Sequence, residues 1–411
     1  MTIHPGFPLS ASPIALEEHY GASNYAPLPV VLTRGEGVYL WGQDGRRYLD
    51  MMSAYSAVSF GHSHPRLVEA LVAQARQLAV TSRAFYTDKL GFFLKRLCRL
   101  TGKDSALPMN TGAEAVETAL KAARKWGYTV KGIADGRAQI IVAAGNFAGR
   151  TTTIIGFSSE AQYRSGFGPF APGFVTVPYG DPAALEAAIT ADTCAFLVEP
   201  VQGEAGIIVP PAGYLRAVRE ICTRRNVLMI CDEVQTGLGR TGRLLACDHE
   251  GVRPDGLTLG KALGGGLLPV SAFLAREEVM AVFTPGDHGS TFGGNPLAAA
   301  VGDMALQVLV EEKLSERAAE HGTALLERLH ALRHPAIRDI RGKGLLIGID
   351  IDPRFASART VCEGLLQERV LSKDTHGTVV RFAPPLVISM REIDEATAAL
   401  GRVLTRLGTA H

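Results

Sequence analysis

The sequence has almost no excess of charge of either sign: 42 Lys and Arg stand against 41 Asp and Glu in 411 residues. That balance excludes the basic stripe of a nucleic-acid binder and the single-sign tail of a charged interaction arm. No apolar run approaches the ~18–20 residues a helix needs to cross a bilayer, so no membrane span is expected. Cysteine is scarce, with six (Cys98, Cys194, Cys222, Cys231, Cys247, Cys362) and no CxxC pair. Most sit in apolar contexts such as LMICD and CAFLV, where a reduced thiol behaves as a small hydrophobe, and no metal site is expected. The 45 Gly and 22 Pro follow no period, which excludes a collagen-like chain. The N-terminal MTIHPGFPLSASPIALEEHYGASNY has no basic segment leading into an apolar one, and it is acidic and poor in Arg. Neither a secretory signal nor a mitochondrial presequence is expected there, and the reading is cytoplasmic.

What is present is an ordinary globular composition, 46% hydrophobic and 20% charged. At about 150 residues per domain the length suggests two to three domains. VYLWGQDGRRYLDM carries an Asp44-Gly45 turn between alternating apolar residues, which predicts a hairpin. From Pro65 the period changes, and PRLVEALVAQARQL and KLGFFLKRLCRL are predicted helices. Between about 105 and 275, the apolar runs QIIVAA, FVTVP, CAFLVEP, NVLMICDE and DGLTLG alternate with helical stretches. The pattern predicts an α/β fold, a mostly parallel sheet covered by helices on both faces. A long helix near 296–332 is then expected, followed by strand GLLIGIDI, helix ARTVCEGLLQERV, a strand at VVRFA and a closing helix from Ile393. Residues 1–60 and 306–411 thus read as contributing to a smaller α+β unit, and 61–305 as the large domain.

Ligands in α/β sheets collect where strands end. Asp232 closes the apolar strand VLMICD, and a carboxylate there is costly to desolvate without a nearby cation. Lys261 follows the next strand, in LGKALGGG, and is the only lysine between Lys131 and Lys313. A lysine in an apolar strand-end pocket has a depressed pKa and can serve as a Schiff-base nucleophile. Asn110-Thr111-Gly112 leads into a helix whose first N–H groups offer a phosphate site, although GxxxxGK[ST] and GxGxxG are both absent. Ser290 and Thr291 sit in a Gly-rich loop before another helix. Each feature alone also reads as structure: a surface carboxylate, a paired lysine, a capped loop. Together they describe a pyridoxal 5'-phosphate site, where the aspartate keeps the pyridine nitrogen protonated as an electron sink.

The motifs DEVQTGLGRTG, LGKALGGG, TGAEAVETALKAARKW, AAGNFAGRT, VEPVQGEAG and PGDHGSTFGGNP resemble those of the class III (ω) aminotransferases of fold type I. NYAPLPV, GYTVKG and RFAPPLVI point within them to the ornithine δ-aminotransferase branch, and the resemblance runs from about Tyr20 to Leu407. It implies that Lys261 bonds the cofactor covalently, Asp232 partners the pyridine nitrogen, and Gln235 contacts the ring hydroxyl. Thr111, Gly112 and Ala113 would hold the phosphate, with Phe147 stacked on the ring. Ser290 and Thr291 would reach the phosphate of a neighbouring subunit, making a homodimer or higher homo-oligomer the active unit. Arg150 would clamp the substrate carboxylate far from the reacting carbon, while Tyr25 and Tyr55 line the substrate pocket. Arg381 would bind the 2-oxo acid in the second half-reaction and be neutralised by Glu204 in the first; a permanent structural pair is the plainer alternative. The implied reaction transfers the δ-amino group of ornithine to 2-oxoglutarate. Two positions depart from the branch: Ala148 stands where Trp is usual, and Phe292 where Tyr is common. The first removes a wall of the pocket, and keeps acetylornithine, lysine, 4-aminobutyrate or a related amine as alternative donors.

Overall fold

The computed structural model describes residues 12–408; residues 1–11, part of the N-terminal leader reading, lie outside it. In chain order the first strands are β1 (Leu32–Glu36), β2 (Tyr39–Gly42), β3 (Arg47–Asp50), β4 (Ser105–Met109) and β5 (Gln139–Ala143). They are followed by β6 (Phe174–Val177), β7 (Thr193–Val198), β8 (Leu228–Asp232), β9 (Gly256–Leu259) and β10 (Ser271–Ala275). The last five are β11 (Ile337–Lys343), β12 (Leu346–Ile351), β13 (Val370–Leu371), β14 (Lys373–Thr375) and β15 (Val379–Phe382).

The five apolar runs predicted as strands are β5 to β9; with β4 and β10, which were not expected, they form one seven-stranded sheet in the order β4-β10-β9-β8-β7-β5-β6. Alternate residues of each strand enter two different cores. Ile141, Phe196, Met229 and Leu257 pack on one face, and Ile140, Leu197, Ile230 and Phe273 on the other. A strand feeding both cores must be apolar at every position, which is why these runs lack a polar alternation. The sheet is parallel except for β10, which is antiparallel to both β4 and β9. Only a short 3₁₀ turn, Lys261–Gly264, lies between β9 and β10. With no helix to carry the chain back across the sheet, β10 runs antiparallel. The parallel strands end on one side, so the loops after β5, β7, β8 and β9 gather along one edge.

The predicted helices are present as Pro65–Gln77, Leu90–Thr101, Gly112–Thr129 and Tyr214–Arg224. The single helix expected near 296–332 is two, Pro296–Glu311 and Leu314–Ala331, broken where Lys313 takes φ +51°. The closing helix begins at Met390 rather than Ile393, and β11 was not expected. The N-terminal hairpin joins the C-terminal segment: β3 pairs in parallel with β13, completing a sheet of order β1-β2-β3-β13. A third sheet, β11-β12-β15-β14, carries Arg381 opposite Gly348 of β12. Among the described residues no helix is long and apolar enough to cross a membrane, and no cluster could hold a metal ion. Five of the six cysteines are buried and all are free.

Candidate active site

Strand β8 is buried throughout and ends on Asp232. Its Oδ1 accepts hydrogen bonds from Thr258 Oγ1 on β9 at 2.9 Å and from the Val234 N–H at 3.0 Å. Burial holds this carboxyl above the usual carboxylate range, against the pull of those two donors and of the Lys261 charge. Both protein donors go to Oδ1, which leaves Oδ2 without one. The neighbouring Glu233 turns away from the site. It accepts from Thr236 and from the Ala246 and Cys247 N–H groups, and fixes the loop behind.

One strand over, Lys261 leaves β9 with φ +44°, a left-handed backbone that a non-glycine residue holds at a cost of order 1–3 kcal/mol. Among the described residues its amine makes no hydrogen bond or ion pair. Burial lowers its pKa to about 8, with Glu204 pulling the other way and Arg381 adding to the depression.

At the end of β4, Thr111 caps the helix Gly112–Thr129 in a capping box: Thr111 Oγ1 accepts from the Glu114 N–H at 3.2 Å. Glu114 in turn accepts from the N–H groups of Asn110 and Thr111, each at 2.8 Å. These bonds consume the flanking donors and leave the Gly112 and Ala113 N–H groups at the start of the helix dipole as unspent donors. Position 112 must be glycine, because a Cβ there would lie 2.8 Å from Val234 Cγ1.

These three junctions meet in one cavity of about 190 Å³. It is lined by Gly112, Ala113, Phe147, Ala148, Gly149, Glu199, Glu204, Asp232, Val234, Gln235 and Lys261. Glu199, at the end of β7, clasps two of its loops: Oε1 accepts from the Phe147 N–H at 2.9 Å and Oε2 from the Gly203 N–H at 3.2 Å. Burial beside Asp232 raises the Glu199 carboxyl to about 8. Arg381 is 1% exposed and forks onto Glu204, Nη1 to Oε1 and Nη2 to Oε2, both at 2.9 Å. Gln235 Nε2 donates to the same carboxylate at 3.1 Å, leaving its Oε1 buried without a donor. Burial alone would raise the Glu204 carboxyl, but the charge and hydrogen bonds of Arg381 win and bring it down to about 2.

The remaining expected residues divide. The Tyr55 ring centroid lies 5.3 Å from Arg381 Cζ. Arg150 Cζ stands 3.6 Å from the Tyr163 ring centroid and 5.5 Å from that of Phe147. Tyr25 is 73% exposed in the segment before β1. Ser290 and Thr291 are not brought to the cavity of their own chain. Ser290 Oγ accepts from Asn110 Nδ2 at 2.8 Å, behind the helix-start turn, and Thr291 is exposed.

Residues 20–404 match the family described as Aminotransferase class-III. The chain belongs to the class III aminotransferases. It is 54% identical over 390 residues to the ornithine aminotransferase of Geobacillus sp. (strain WCH70), covering 95% of this chain and 97% of that one. The ornithine aminotransferase of Toxoplasma gondii ME49 superposes with a TM-score of 0.95 at 44% identity, covering 97% of this chain and 95% of that one. The acetylornithine aminotransferase of Elizabethkingia anophelis does so with a TM-score of 0.87 at 49% identity, covering 96% and 98%.

As a class III aminotransferase of fold type I, the protein works with pyridoxal phosphate. The cavity suits that cofactor: an amine without a partner, a carboxylate oxygen and an amide oxygen without donors, and two unspent N–H groups at a helix start. Three contributors were not singled out in the sequence. Thr258 orients Asp232, Glu199 clasps the Phe147 loop, and Tyr163 lies under Arg150. Glu199 carried a usable signal, since it directly follows the apolar run CAFLV at the end of its strand, as Asp232 follows LMIC. Tyr163 carried none, because only the folded loop brings it to Arg150.

Proposed function

We propose that this class III aminotransferase moves the δ-amino group of L-ornithine to 2-oxoglutarate, giving L-glutamate and glutamate 5-semialdehyde, which cyclises to pyrroline-5-carboxylate. The observation that carries the reading is the Arg381–Glu204 fork braced by Gln235. Ornithine brings an amine with no carboxylate beside it, whereas 2-oxoglutarate brings a carboxylate next to its reacting carbon. A pocket serving both needs a cation that can be covered and uncovered. Glu204 covers Arg381 while the amine donor is bound, and the 2-oxo acid carboxylate replaces Glu204 in the second half-reaction. With the Glu204 carboxyl near 2 the pair stays charged at any working pH, so the cover opens by displacement rather than by protonation.

Bound pyridoxal phosphate supplies the electron sink for charge at the substrate carbon. Lys261, whose pKa burial lowers to about 8, would bond the cofactor through its amine and would be the group that takes up and returns the substrate-carbon proton. Asp232 would hold the ring nitrogen protonated, Gln235 would accept from the ring hydroxyl, and Phe147 would stack on the ring. Thr111 shapes the turn that offers the Gly112 and Ala113 N–H groups to the phosphate. Arg150, paired with no carboxylate among the described residues, clamps the distal carboxylate of both substrates, a task suited to a planar guanidinium. Tyr25 and Tyr55 line the amine-donor side. Ser290 and Thr291 serve a neighbouring subunit's phosphate, so the working unit is a homodimer or larger. Residues 1–60 and 306–411 contribute the smaller domain and 61–305 the larger. The location is the cytoplasm, and the reaction fits arginine degradation or proline biosynthesis.

Glu204→Ala tests the cover. It should raise glutamate use as amine donor and shift part of the reaction with ornithine to the α-amine, read from product identity. A wild-type product profile would contradict the reading. Ala148 favours a second reading, since a methyl group in the cavity wall leaves room for an N-substituted or longer amine. A panel of amine donors, repeated on Ala148→Trp, separates the two: the tryptophan should suppress acetylornithine while sparing ornithine.

A further inference from the structure

Residues Ser53, Ala54, Tyr55 and Ser56 form one turn of left-handed helix, with φ of +45°, +47°, +58° and +73°. None is Gly, Asn or Asp, the residues that enter this region readily, and side chains crowd the following carbonyl in a left-handed turn. Something outside the turn must therefore hold it. Asp50 Oδ1 accepts from the Met52 and Ser53 N–H groups at 2.8 Å each. Ser53 Oγ donates to the Ala383 carbonyl at 2.6 Å.

A further restraint comes from Arg240, which is wholly buried and is paired with no carboxylate among the described residues. Its Nη2 donates to Ser59 Oγ at 3.0 Å and to Ser53 Oγ at 3.3 Å. Its Nη1 donates to the carbonyls of Pro384 at 2.6 Å and Leu345 at 2.9 Å. Burying a guanidinium that forms no ion pair is expensive, even with the Asp50 charge within electrostatic reach. What it yields here is geometry, because one rigid fork joins the left-handed turn to the backbone just past Arg381. The Tyr55 ring, borne by that turn, sits 5.3 Å from the Arg381 guanidinium carbon.

We infer that Arg240 is a positioning residue for the amine-donor pocket, holding Ser53–Ser56 left-handed so that Tyr55 covers Arg381. The inference rests on the proposed function, in which Tyr55 and Arg381 belong to the substrate pocket.

The test uses purified holoenzyme and two readouts, amide hydrogen exchange and steady-state kinetics with ornithine and 2-oxoglutarate. Arg240→Lys keeps the charge but loses the fork. Exchange of the Ala57 and Val58 N–H groups, which bond to Ala54 and Ser53 within the turn, should speed up at least about tenfold as the turn opens locally. The ornithine KM should rise by about tenfold with kcat changed less than about twofold, since misplacing a pocket wall weakens binding before chemistry. Adding Ala54→Gly should recover a large part of the KM loss, because glycine takes the left-handed form without strain. Wild-type exchange and KM in Arg240→Lys would overturn the inference, as would a combined kcat and KM loss that glycine leaves unrepaired. Should Arg240→Lys fail to fold, Ser59→Ala is read instead: a several-fold rise in exchange and KM supports the inference, and unchanged values overturn it. Wild-type enzyme without ornithine turnover would sink the functional reading alone, because the exchange result stands independently of it.

Discussion

At Lys261 and Asp232 the protein spends stability on reactivity. The lysine is held in a left-handed backbone and the aspartate is buried without a formal counter-ion beyond that amine. The sign of the lysine shift matters. Burial favours the neutral amine, and in the proposed function the neutral amine would be the nucleophile toward the cofactor aldehyde. The rate at which apoenzyme takes up pyridoxal phosphate should therefore climb with pH and level off above about 8. Stopped-flow absorbance at saturating cofactor measures it. A rate still climbing steeply beyond pH 10 would place the amine at an ordinary lysine value and remove the role given to burial. The Glu204–Arg381 pair shows the opposite economy. Removing the carboxylate strands a charge that is 1% exposed, and breaking such a buried pair costs on the order of 3–5 kcal/mol. A substrate carboxylate is the natural replacement.

At the scale of elements, the start of the helix Gly112–Thr129 is the part with least room for change. The Glu114 capping box fixes which N–H groups are left over, and Val234 presses against the glycine that presents them. Gly112→Ala should lower cofactor affinity by about 5- to 150-fold, since overpacking of this kind costs about 1–3 kcal/mol. Fluorescence titration of apoenzyme with cofactor checks it, and unchanged affinity would mean that Val234 yields freely. This helix, β5 through β9 and the strand-end residues were legible in the sequence because each depends on local pattern: a period, a cap, a charge closing an apolar run. Strand β10 was not expected, and its antiparallel direction follows from the length of a connection rather than from the strand's own residues. The break at Lys313 was missed because EEKL continues a helical pattern on both sides. Strand β11, IRDIRGK, reads as polar, since its partly exposed residues pair with the buried β12 instead of filling a core of their own.

Across the whole molecule, the fold gathers the site from segments far apart in sequence. The parallel strands of the large sheet deliver Asp232, Glu199, Phe147 and Lys261 to one edge. Arg381 arrives on a different sheet, tied to the first by its fork to Glu204. The N-terminal strands are held to the C-terminal segment through β3 and β13, which places the Tyr55 turn against the backbone beside Arg381. The pairing of Arg381 with Glu204 was expected from the family resemblance, while the buried Arg240 that braces both sides was not. Arg240 lies in a quoted motif, but its four partners come from residues 53, 59, 345 and 384, a convergence that only the tertiary structure reveals. The account as a whole depends on a covalent link between Lys261 and the cofactor. Borohydride reduction of the holoenzyme, followed by peptide mass spectrometry, reads that link directly. The account predicts a reduced pyridoxyl phosphate tag on the peptide containing Lys261 and its loss in Lys261→Ala; a tag on any other lysine of the wild-type protein would contradict it.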